Sequence, residues 1–351
     1  MPRAEKTTGA VASAAISSAS LAWRIVRARC SSKLLRSLIR PADPLHCPST
    51  HNAGVDLVSQ VLLFGLSWIT TTARWTETSV ASPMKEKAVT DNPDTTGFRA
   101  LFHAPGPLDS QYLSSSDPAI ASIVGQSGTD YVILDAEHSV YSLATLRGCI
   151  DAVAQTPARC VVRIADDSPT LIKQILDLGV DGIQVPNVST ADQAERIVKA
   201  AKYPPEGIRG IGGGRASGYG PRMNQSVSTA NSSVAIIVMI ESAEGIRNAA
   251  DIAAVPGIDG LSVGPHDLAL DLGIPMNPQH PKLLDAFHTL VAAGRASEKK
   301  VGVVCGLEDV PQWLAEGAQL FTVFFTTQVL NAAAKDTSSK MRAAFHARID
   351  A

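Results

Sequence analysis

The sequence predicts an α/β chain folded as a (β/α)₈ barrel, also called a TIM barrel, that follows a poorly structured N-terminal extension. Three observations support the barrel: short apolar runs alternate with segments of helical period from Phe98 onward, the runs number eight, and the repeat fills about 250 residues. An open doubly wound sheet is the competing fold. It would more often have about five to seven strands and a glycine fingerprint at its first turn.

The predicted strands are short runs of β-branched and apolar residues. They are FRALF (98–102), YVILD (131–135), CVVRI (160–164), GIQVP (182–186), AIIVMIE (235–241), GLSVG (260–264), VGVVC (301–305) and LFTVFF (320–325). Between them lie segments such as SPTLIKQILDLG and STADQAERIVKAAK. Each of these opens on Ser or Thr, which suits a helix N-cap, and spaces its apolar residues three or four apart, which predicts an amphipathic helix.

Residues 1–95 are predicted to form the extension, and residues 96–351 the barrel domain with a C-terminal helix. Residues 1–50 are rich in Ser, Ala and Arg and hold only Glu5 and Asp43 as acids. This composition is typical of an organelle transit peptide and equally of an unstructured segment. A polar linker over 76–97 leads into the barrel. The apolar run 57–69 is too short to span a membrane.

The charge balance and the cysteines exclude several classes of partner. With 31 basic and 33 acidic residues the formal charge is −2, so nothing in the overall balance predicts nucleic-acid binding or stable insertion into a membrane.

The five cysteines form neither a CxxC pair nor a disulfide framework and are expected to be reduced, which favours a cytoplasmic location. A transit peptide would instead direct the protein to the mitochondrial matrix.

Polar residues follow the predicted strands at the end where active sites of this fold lie. Asp135 ends the second run and His138 follows it, Arg163 lies near the end of the third, Glu241 ends the fifth, and Asp267 follows the sixth. Because the carboxyl ends of the strands in a closed barrel share one rim, these side chains are predicted to form one site.

Glu241 and Asp267 are the candidate metal ligands. Carboxylate oxygens with positions left for water and substrate suit Mg²⁺ or Mn²⁺, with Co²⁺ as a third candidate, better than Zn²⁺. Structural alternatives remain open: Asp267 follows Pro265 by two residues and could cap a helix, His138 could be a structural histidine, and Arg163 could belong to a structural ion pair. Glu241 has less reason to be structural, since an acid that ends an apolar strand is costly unless paired or metal-bound.

Five blocks of the sequence resemble successive motifs of the HpcH/HpaI-type aldolase and citrate lyase β family. In the family's order they are LDAEHS, VVRIADDSPTLIKQILDLGVDGIQVP, YPPEGIRGIGG, VMIES and GLSVGPHDLALDLG, within residues 98–335. The resemblance implies a barrel of the phosphoenolpyruvate/pyruvate-domain type and a class II, divalent-metal-dependent aldolase. It also implies a homo-oligomer, a trimer or hexamer, in which the last helix, here roughly 331–349, packs against a neighbouring barrel. From the sequence, this helix could equally cover its own barrel.

The reaction expected from this resemblance is the cleavage or formation of a 4-hydroxy-2-oxo acid, with pyruvate enolate as the intermediate and an aldehyde as the second reactant. His138 is the candidate base, and Asp135 would orient it or a metal-bound water. Arg163 would hold the enolate oxygen or the substrate carboxylate. By resemblance, Asp177 is the acidic partner of the histidine and reaches it across a subunit boundary.

His103 in LFHAPGPL is a candidate substrate contact that, like His266, could by spacing alone lie at the surface. Further substrate contacts are predicted from two segments. The first is Gly264, Pro265 and His266 in GPHD. The second is the glycine-rich loop IRGIGGGRASGYG (208–220), in which Arg209, Arg215 or Tyr219 would meet an anionic substrate at the rim. The loop lacks the Lys-Ser or Lys-Thr of a P-loop and does not follow a strand, so nucleotide binding is not expected.

Two departures from the family pattern leave the substrate open. Met239 stands where many relatives have Gln, and the last strand continues as VFFTTQV, so the pocket for the second reactant is expected to be reshaped. One alternative is therefore decarboxylation of oxaloacetate to the same enolate, as in the fungal macrophomate synthase branch. A non-catalytic oligomeric scaffold is the other.

Overall fold

Eight parallel strands close into one barrel in the order of the sequence, with β8 hydrogen-bonded to β1. The structure is a computed structural model that describes residues 97–349, so the predicted extension of residues 1–95 lies outside the described residues. The strands are β1 Leu108–Leu113, β2 Tyr131–Asp135, β3 Arg159–Arg163, β4 Gly182–Val185, β5 Ala235–Ile240, β6 Gly260–Val263, β7 Lys300–Val304 and β8 Leu320–Phe325. The predicted fold class is confirmed.

Helices follow the strands and form the outer layer. They are α1 Arg99–His103, α2 Pro118–Gly125, α3 Leu143–Val153, α4 Pro169–Asp177, α5 Ala191–Ala201, α6 Met223–Ser233, α7 Ala243–Arg247, α8 Ala249–Ala254, α9 Pro265–Asp271, α10 Pro281–Ala296, α11 Val310–Ala315 and α12 Thr326–Ile349. Several begin at the predicted hydroxyl caps: Ser168 caps α4 and Thr190 caps α5. Most of the strands are buried on both faces, which explains their continuous apolar character.

The prediction that FRALF is the first strand is wrong, because this segment is helix α1. Its two phenylalanines, Phe98 and Phe102, are four residues apart and so lie on one face of a helix. Both are buried, their ring centroids lie 5.2 Å apart, and they pack on Tyr131 inside the amino-terminal end of the barrel. The true first strand, LDSQYL, alternates buried residues with the less buried Asp109 and Gln111, and so shows no apolar run. The other seven runs match the strands to within one residue.

The C-terminal helix α12 does not cover its own barrel. It is 24 residues long, and every residue from Gln328 to Arg348 is exposed, including Leu330 and Phe345. A helix with exposed apolar side chains along its length lacks a partner surface among residues 97–349. Among the described helices, none combines the length and apolar character needed to cross a membrane.

Candidate active site

Asp135 and Arg163 form a buried ion pair at the carboxyl rim of the barrel. They end neighbouring strands β2 and β3 at the same register, which sets their side chains beside each other. The guanidinium contacts both carboxylate oxygens: Nε donates to Oδ1 at 2.9 Å, and Nη2 lies 2.9 Å from Oδ2. Both residues are buried. A two-point contact of this kind fixes the plane of the guanidinium as well as its position.

The turn after β2 is held by the same Asp135 carboxylate. The backbone N–H groups of Glu137 and His138 donate to its Oδ1 at 3.3 and 3.2 Å, and the Ser139 hydroxyl donates to Oδ2 at 3.4 Å. Asp135 therefore orients the backbone of His138. The imidazole is 62% exposed, and its Nε2 lies 3.6 Å from Glu137 Oε2. The acid beside the ring is thus Glu137, whereas Asp135 was the predicted orienting residue.

Glu137 is a site residue that the sequence did not single out. Its Oε2 lies 3.3 Å from Arg163 Nη1 and is buried without a hydrogen-bond donor. Burial raises the pKa of this carboxyl group, and the charges of Arg163 and His138 oppose the rise. The only sequence signal was its place in LDAEHS, two positions beyond the strand end.

Glu241 lies at the end of β5 with a carboxylate that is almost fully enclosed. The residue is 5% exposed, and its Oε2 accepts a hydrogen bond from the backbone N–H of Asn187 at 2.8 Å. A Cβ atom at position 264 would stand 2.2 Å from Glu241 Oε1, so only glycine there leaves room for this carboxylate. Gly264 was predicted to contact the substrate. The structure adds that a residue without a side chain is needed there to leave space for the Glu241 carboxylate.

Asp267 lies in the first turn of α9 and does not cap it. The N-cap position is Gly264, which makes no side-chain hydrogen bond, and Pro265 occupies the first helical position. The Asp267 carboxylate is exposed and, within residues 97–349, has no hydrogen-bond or ion-pair partner. His266 beside it is also exposed. The helix-cap alternative for Asp267 therefore does not apply.

Electrostatics show that the acids of the rim act on one another. Burial raises the pKa of Glu241 above its usual value, the Asn187 N–H and the charge of Arg163 oppose the rise, and the negative charges of Glu137 and Asp267 increase it. Negative charges near a buried carboxylate are unfavourable unless a cation joins them. The donor set fits a divalent cation held by two carboxylates with its other positions open. Within the described residues no group of three or more His, Cys, Asp or Glu side chains is arranged to hold a metal ion by itself.

Two predicted site residues, Asp177 and Arg209, lie elsewhere and contact each other. Asp177 ends α4, and helices run antiparallel to the strands, so it lies towards the amino-terminal end of the barrel. Its Oδ1 accepts from Arg209 Nη2 at 2.9 Å, and the Arg209 guanidinium lies 4.5 Å from the centroid of the Tyr203 ring. Neither residue contacts the rim acids among the described residues.

The interpretation of residues 208–220 as a loop of the carboxyl rim is wrong. The segment lies between α5 and α6, and β5 follows, so it belongs to the amino-terminal end of its own barrel. Arg215 is bound there by Asp151 at 2.6 Å and by the carbonyl oxygens of Leu178 and Gly179. His103, at the end of α1, also lies at this end, 3.4 Å from Asp259.

Residues 110–333 match the family model described as HpcH/HpaI aldolase/citrate lyase. The chain belongs to this family. The 4-hydroxy-2-oxovalerate aldolase of Rhodococcus jostii (strain RHA1) is 38% identical over 230 residues, which cover 65% of this chain and 88% of that protein. The 4-hydroxy-2-oxo-heptane-1,7-dioate aldolase of Escherichia coli is 34% identical over 249 residues, covering 70% and 95%.

A solved structure of the same family shows the same architecture. The crystal structure of an HpcH/HpaI aldolase/citrate lyase family protein from Burkholderia cenocepacia J2315 superposes with a TM-score of 0.67 at 31% identity, covering 70% of this chain and 98% of that one. The resemblance in the five sequence blocks is therefore confirmed as family membership.

The ring of Tyr112, on β1, lies between Phe325 and the guanidinium of Arg163. The sequence did not predict this arrangement, because β1 was assigned to the wrong segment. The Tyr112 ring stacks on Phe325 with centroids 4.8 Å apart, and the Arg163 guanidinium lies 4.5 Å from the same ring. The Tyr112 hydroxyl donates to Gln184 Oε1 at 2.9 Å and contacts the Met239 sulfur at 3.8 Å. Met239, the departure from the family pattern, is thus a buried neighbour of the tyrosine.

Proposed function

We propose that this protein is a class II aldolase that cleaves or forms 4-hydroxy-2-oxo acids, with pyruvate and an aldehyde as the other reactants. The observation that carries the proposal is the enclosed Glu241 carboxylate, whose pKa is raised in part by the negative charge of Asp267. The charge of Arg163, which Asp135 holds in place, also acts on this carboxylate. The named activities of two relatives, both 4-hydroxy-2-oxo acid aldolases, support the substrate class.

Glu241 and Asp267 would hold the divalent cation, with Mg²⁺ or Mn²⁺ as first candidates and Co²⁺ as a third. When bound, such a cation supplies Lewis-acid stabilisation of the negative charge that develops on the ketone oxygen of a 2-oxo acid. Gly264 keeps the space that the Glu241 carboxylate needs. Asn187 fixes one oxygen of that carboxylate through its backbone N–H.

Arg163 would bind the substrate carboxylate or the enolate oxygen. Asp135 holds one side of the guanidinium, and the Tyr112 ring lies beside it. The guanidinium then needs little reorganisation when the anion arrives, because its plane is already fixed. Pro265 and His266 start α9 next to the acids and would contact the substrate from that side.

His138 would accept the proton of the 4-hydroxyl group in the cleavage direction. As that proton leaves, the C3–C4 bond breaks, its electron pair passes into the pyruvate enolate, and the aldehyde is released. Protonation of C3 then gives pyruvate. The exposed imidazole can reach a substrate at the rim, and its neighbour Glu137 would stabilise the protonated ring.

Assembly into a homo-oligomer, a trimer or hexamer, would complete the site. The exposed α12 needs an apolar surface, and a groove of about 500 Å³ lined by Leu307, Val310, Leu314, Phe321 and Val323 lies on the outer side of β1 and β8. In such an assembly Asp177 and Arg209, far from the rim of their own barrel, would serve the site of a neighbouring copy, with Asp177 beside the histidine.

The activity test measures pyruvate and aldehyde release together. Purified protein is supplied with racemic 4-hydroxy-2-oxovalerate, with and without EDTA, and oxaloacetate is supplied in parallel. The proposal expects pyruvate and acetaldehyde in equal amounts, abolished by EDTA and restored by Mn²⁺. Pyruvate from oxaloacetate alone would favour the decarboxylase alternative. No product from either compound, across a panel of 4-hydroxy-2-oxo acids, would favour the scaffold alternative.

A further inference from the structure

A second cavity, of about 750 Å³, opens at the amino-terminal mouth of the barrel. Its walls come from the segment before β1, the end of α10 with the start of β7, and the segment before β8. All three segments precede strands, whereas Glu241, Arg163 and Asp267 follow strands. The cavity therefore lies at the opposite end of the barrel from the proposed aldolase site and plays no part in the proposed reaction.

The lining of this cavity carries an excess of positive charge. Arg295, Lys299 and Lys300 line it, with Glu298 as the acid among them. Within residues 97–349, none of the three cationic side chains has a carboxylate within ion-pair distance. Asp259 lies near Lys299 but is already engaged by Arg99 at 2.6 Å. Among the described lining residues one acid, Glu298, therefore faces three cations, and the local charge stays positive.

Lys300 is the most unusual of these groups. The residue is 4% exposed, and its ammonium donates to the backbone carbonyl of Gly106, which is also part of the cavity wall. Burial of a cation against a neutral partner is costly, and burial accordingly lowers the pKa of both Lys300 and Lys299. A bound anion would reverse both shifts, because it would favour the charged ammonium.

The uncharged residues of the cavity wall indicate what kind of anion would fit. Phe102, Val291, Val301 and Leu314 give apolar surface between the charges. The cavity volume falls in the range of small-molecule sites, and a concave wall focuses the field of the cations on a bound ligand. Bulk phosphate alone would leave most of this space empty.

We propose that this amino-terminal cavity is a binding site for a small organic polyanion, held by Arg295, Lys299 and Lys300. Two anion chemistries meet the description, phosphorylated compounds and polycarboxylates, and the experiment separates them. The site is independent of the aldolase proposal, since it shares no residue with the carboxyl rim.

The test is calorimetric titration of the full chain, without added metal, with pyrophosphate in one arm and tricarballylate in the other. We expect saturable binding of one anion per chain in at least one arm, which weakens with added salt. The double variant Arg295→Gln/Lys299→Gln should raise the Kd by about tenfold or more, since it removes two charge-assisted contacts. Lys199→Gln on the exposed face of α5 is the matched control and should leave the Kd unchanged, as should Glu241→Gln.

A second measurement does not depend on variants. Lysine amines of the wild-type protein are reductively methylated with ¹³C-formaldehyde and a borohydride reductant, and the resonances of Lys299 and Lys300 are followed with each anion. Shifts confined to these two lysines support the site. Absence of saturable binding in both arms, a Kd unaffected by the double variant, or binding lost only in Glu241→Gln would overturn the proposal.

Discussion

The two candidate sites of the barrel, the carboxyl rim and the amino-terminal cavity, carry opposite unpaired charge. At the carboxyl rim the buried cation Arg163 contacts Asp135 and Glu137, so among the described residues the rim acids, with Glu241 and Asp267, outnumber it. At the amino-terminal mouth the cations Arg295, Lys299 and Lys300 are left in excess. The formal net charge of −2 does not reveal this separation. The net charge of the chain therefore does not predict the charge of its ligands, whereas the unpaired charge of each site indicates whether that site can bind a cation or an anion.

Removal of the enclosed acid gives the largest expected effect. Glu241→Gln keeps the size of the side chain and the Asn187 contact but removes half of the carboxylate pair. We expect kcat/KM to fall by about 10³-fold or more, because cation binding and charge stabilisation are lost together. A steady-state assay of pyruvate release measures this. The thermal midpoint without metal should not fall, since the variant removes like-charge repulsion. Full activity in Glu241→Gln would contradict the assignment of the carboxyl rim as the cation site.

The buried ion pair of the rim comes next. Arg163→Lys keeps the charge but cannot make the two-point contact with Asp135. We expect kcat/KM to fall by about 10²-fold and the free energy of unfolding by about 1–3 kcal/mol, because a buried carboxylate loses hydrogen bonds. Urea unfolding and the same assay check both. Lys173→Arg on the exposed face of α4 is the control substitution, and equal behaviour of the two variants would contradict the assigned role.

Gly264→Ala tests the space around the metal ligand alone. The added Cβ would stand 2.2 Å from Glu241 Oε1, so the carboxylate must move. We expect Mn²⁺ affinity to fall by about 10- to 100-fold, the range typical of a perturbed ligand orientation. Gly213→Ala is the matched control, since a Cβ there meets nothing within 4 Å. Equal Mn²⁺ affinity in the two variants would show that the Glu241 carboxylate is not a ligand.

The smallest effect is a pH dependence of stability in the metal-free protein. The folded pKa of Glu241 is raised above its unfolded value, so the folded state binds more protons between the two values. Stability from this group is therefore fully present below the unfolded pKa and is lost as pH rises through the folded pKa. The stability difference between the wild type and Glu241→Gln should favour the wild type more at acidic pH. Urea unfolding of both proteins across this pH range measures it, and a difference that does not change with pH would contradict the raised pKa.

Periodicity and strand ends predicted most of the fold but not all of its site. Seven strands follow from apolar runs because they are buried on both faces. The strand LDSQYL was not predicted, because Asp109 and Gln111 are less buried and interrupt the apolar run. Tyr112 was therefore not predicted as a site residue. The glycine-rich loop was placed at the wrong end because α6, which follows it, is polar and has no buried residue to reveal a helix before β5. Glu137 was not predicted as a site residue because its contact with Arg163 depends on the register of β2 and β3.

The most direct test of the central claim counts divalent cations and asks which residues hold them. Mn²⁺ is titrated into the wild type, Glu241→Gln and Asp267→Asn, and free Mn²⁺ is followed by electron paramagnetic resonance. A shared site predicts one ion per chain in the wild type and affinity lost by about 10²-fold or more in each variant, because each removes one of two protein ligands. Mn²⁺ binding that is unchanged when either carboxylate is removed would contradict the account.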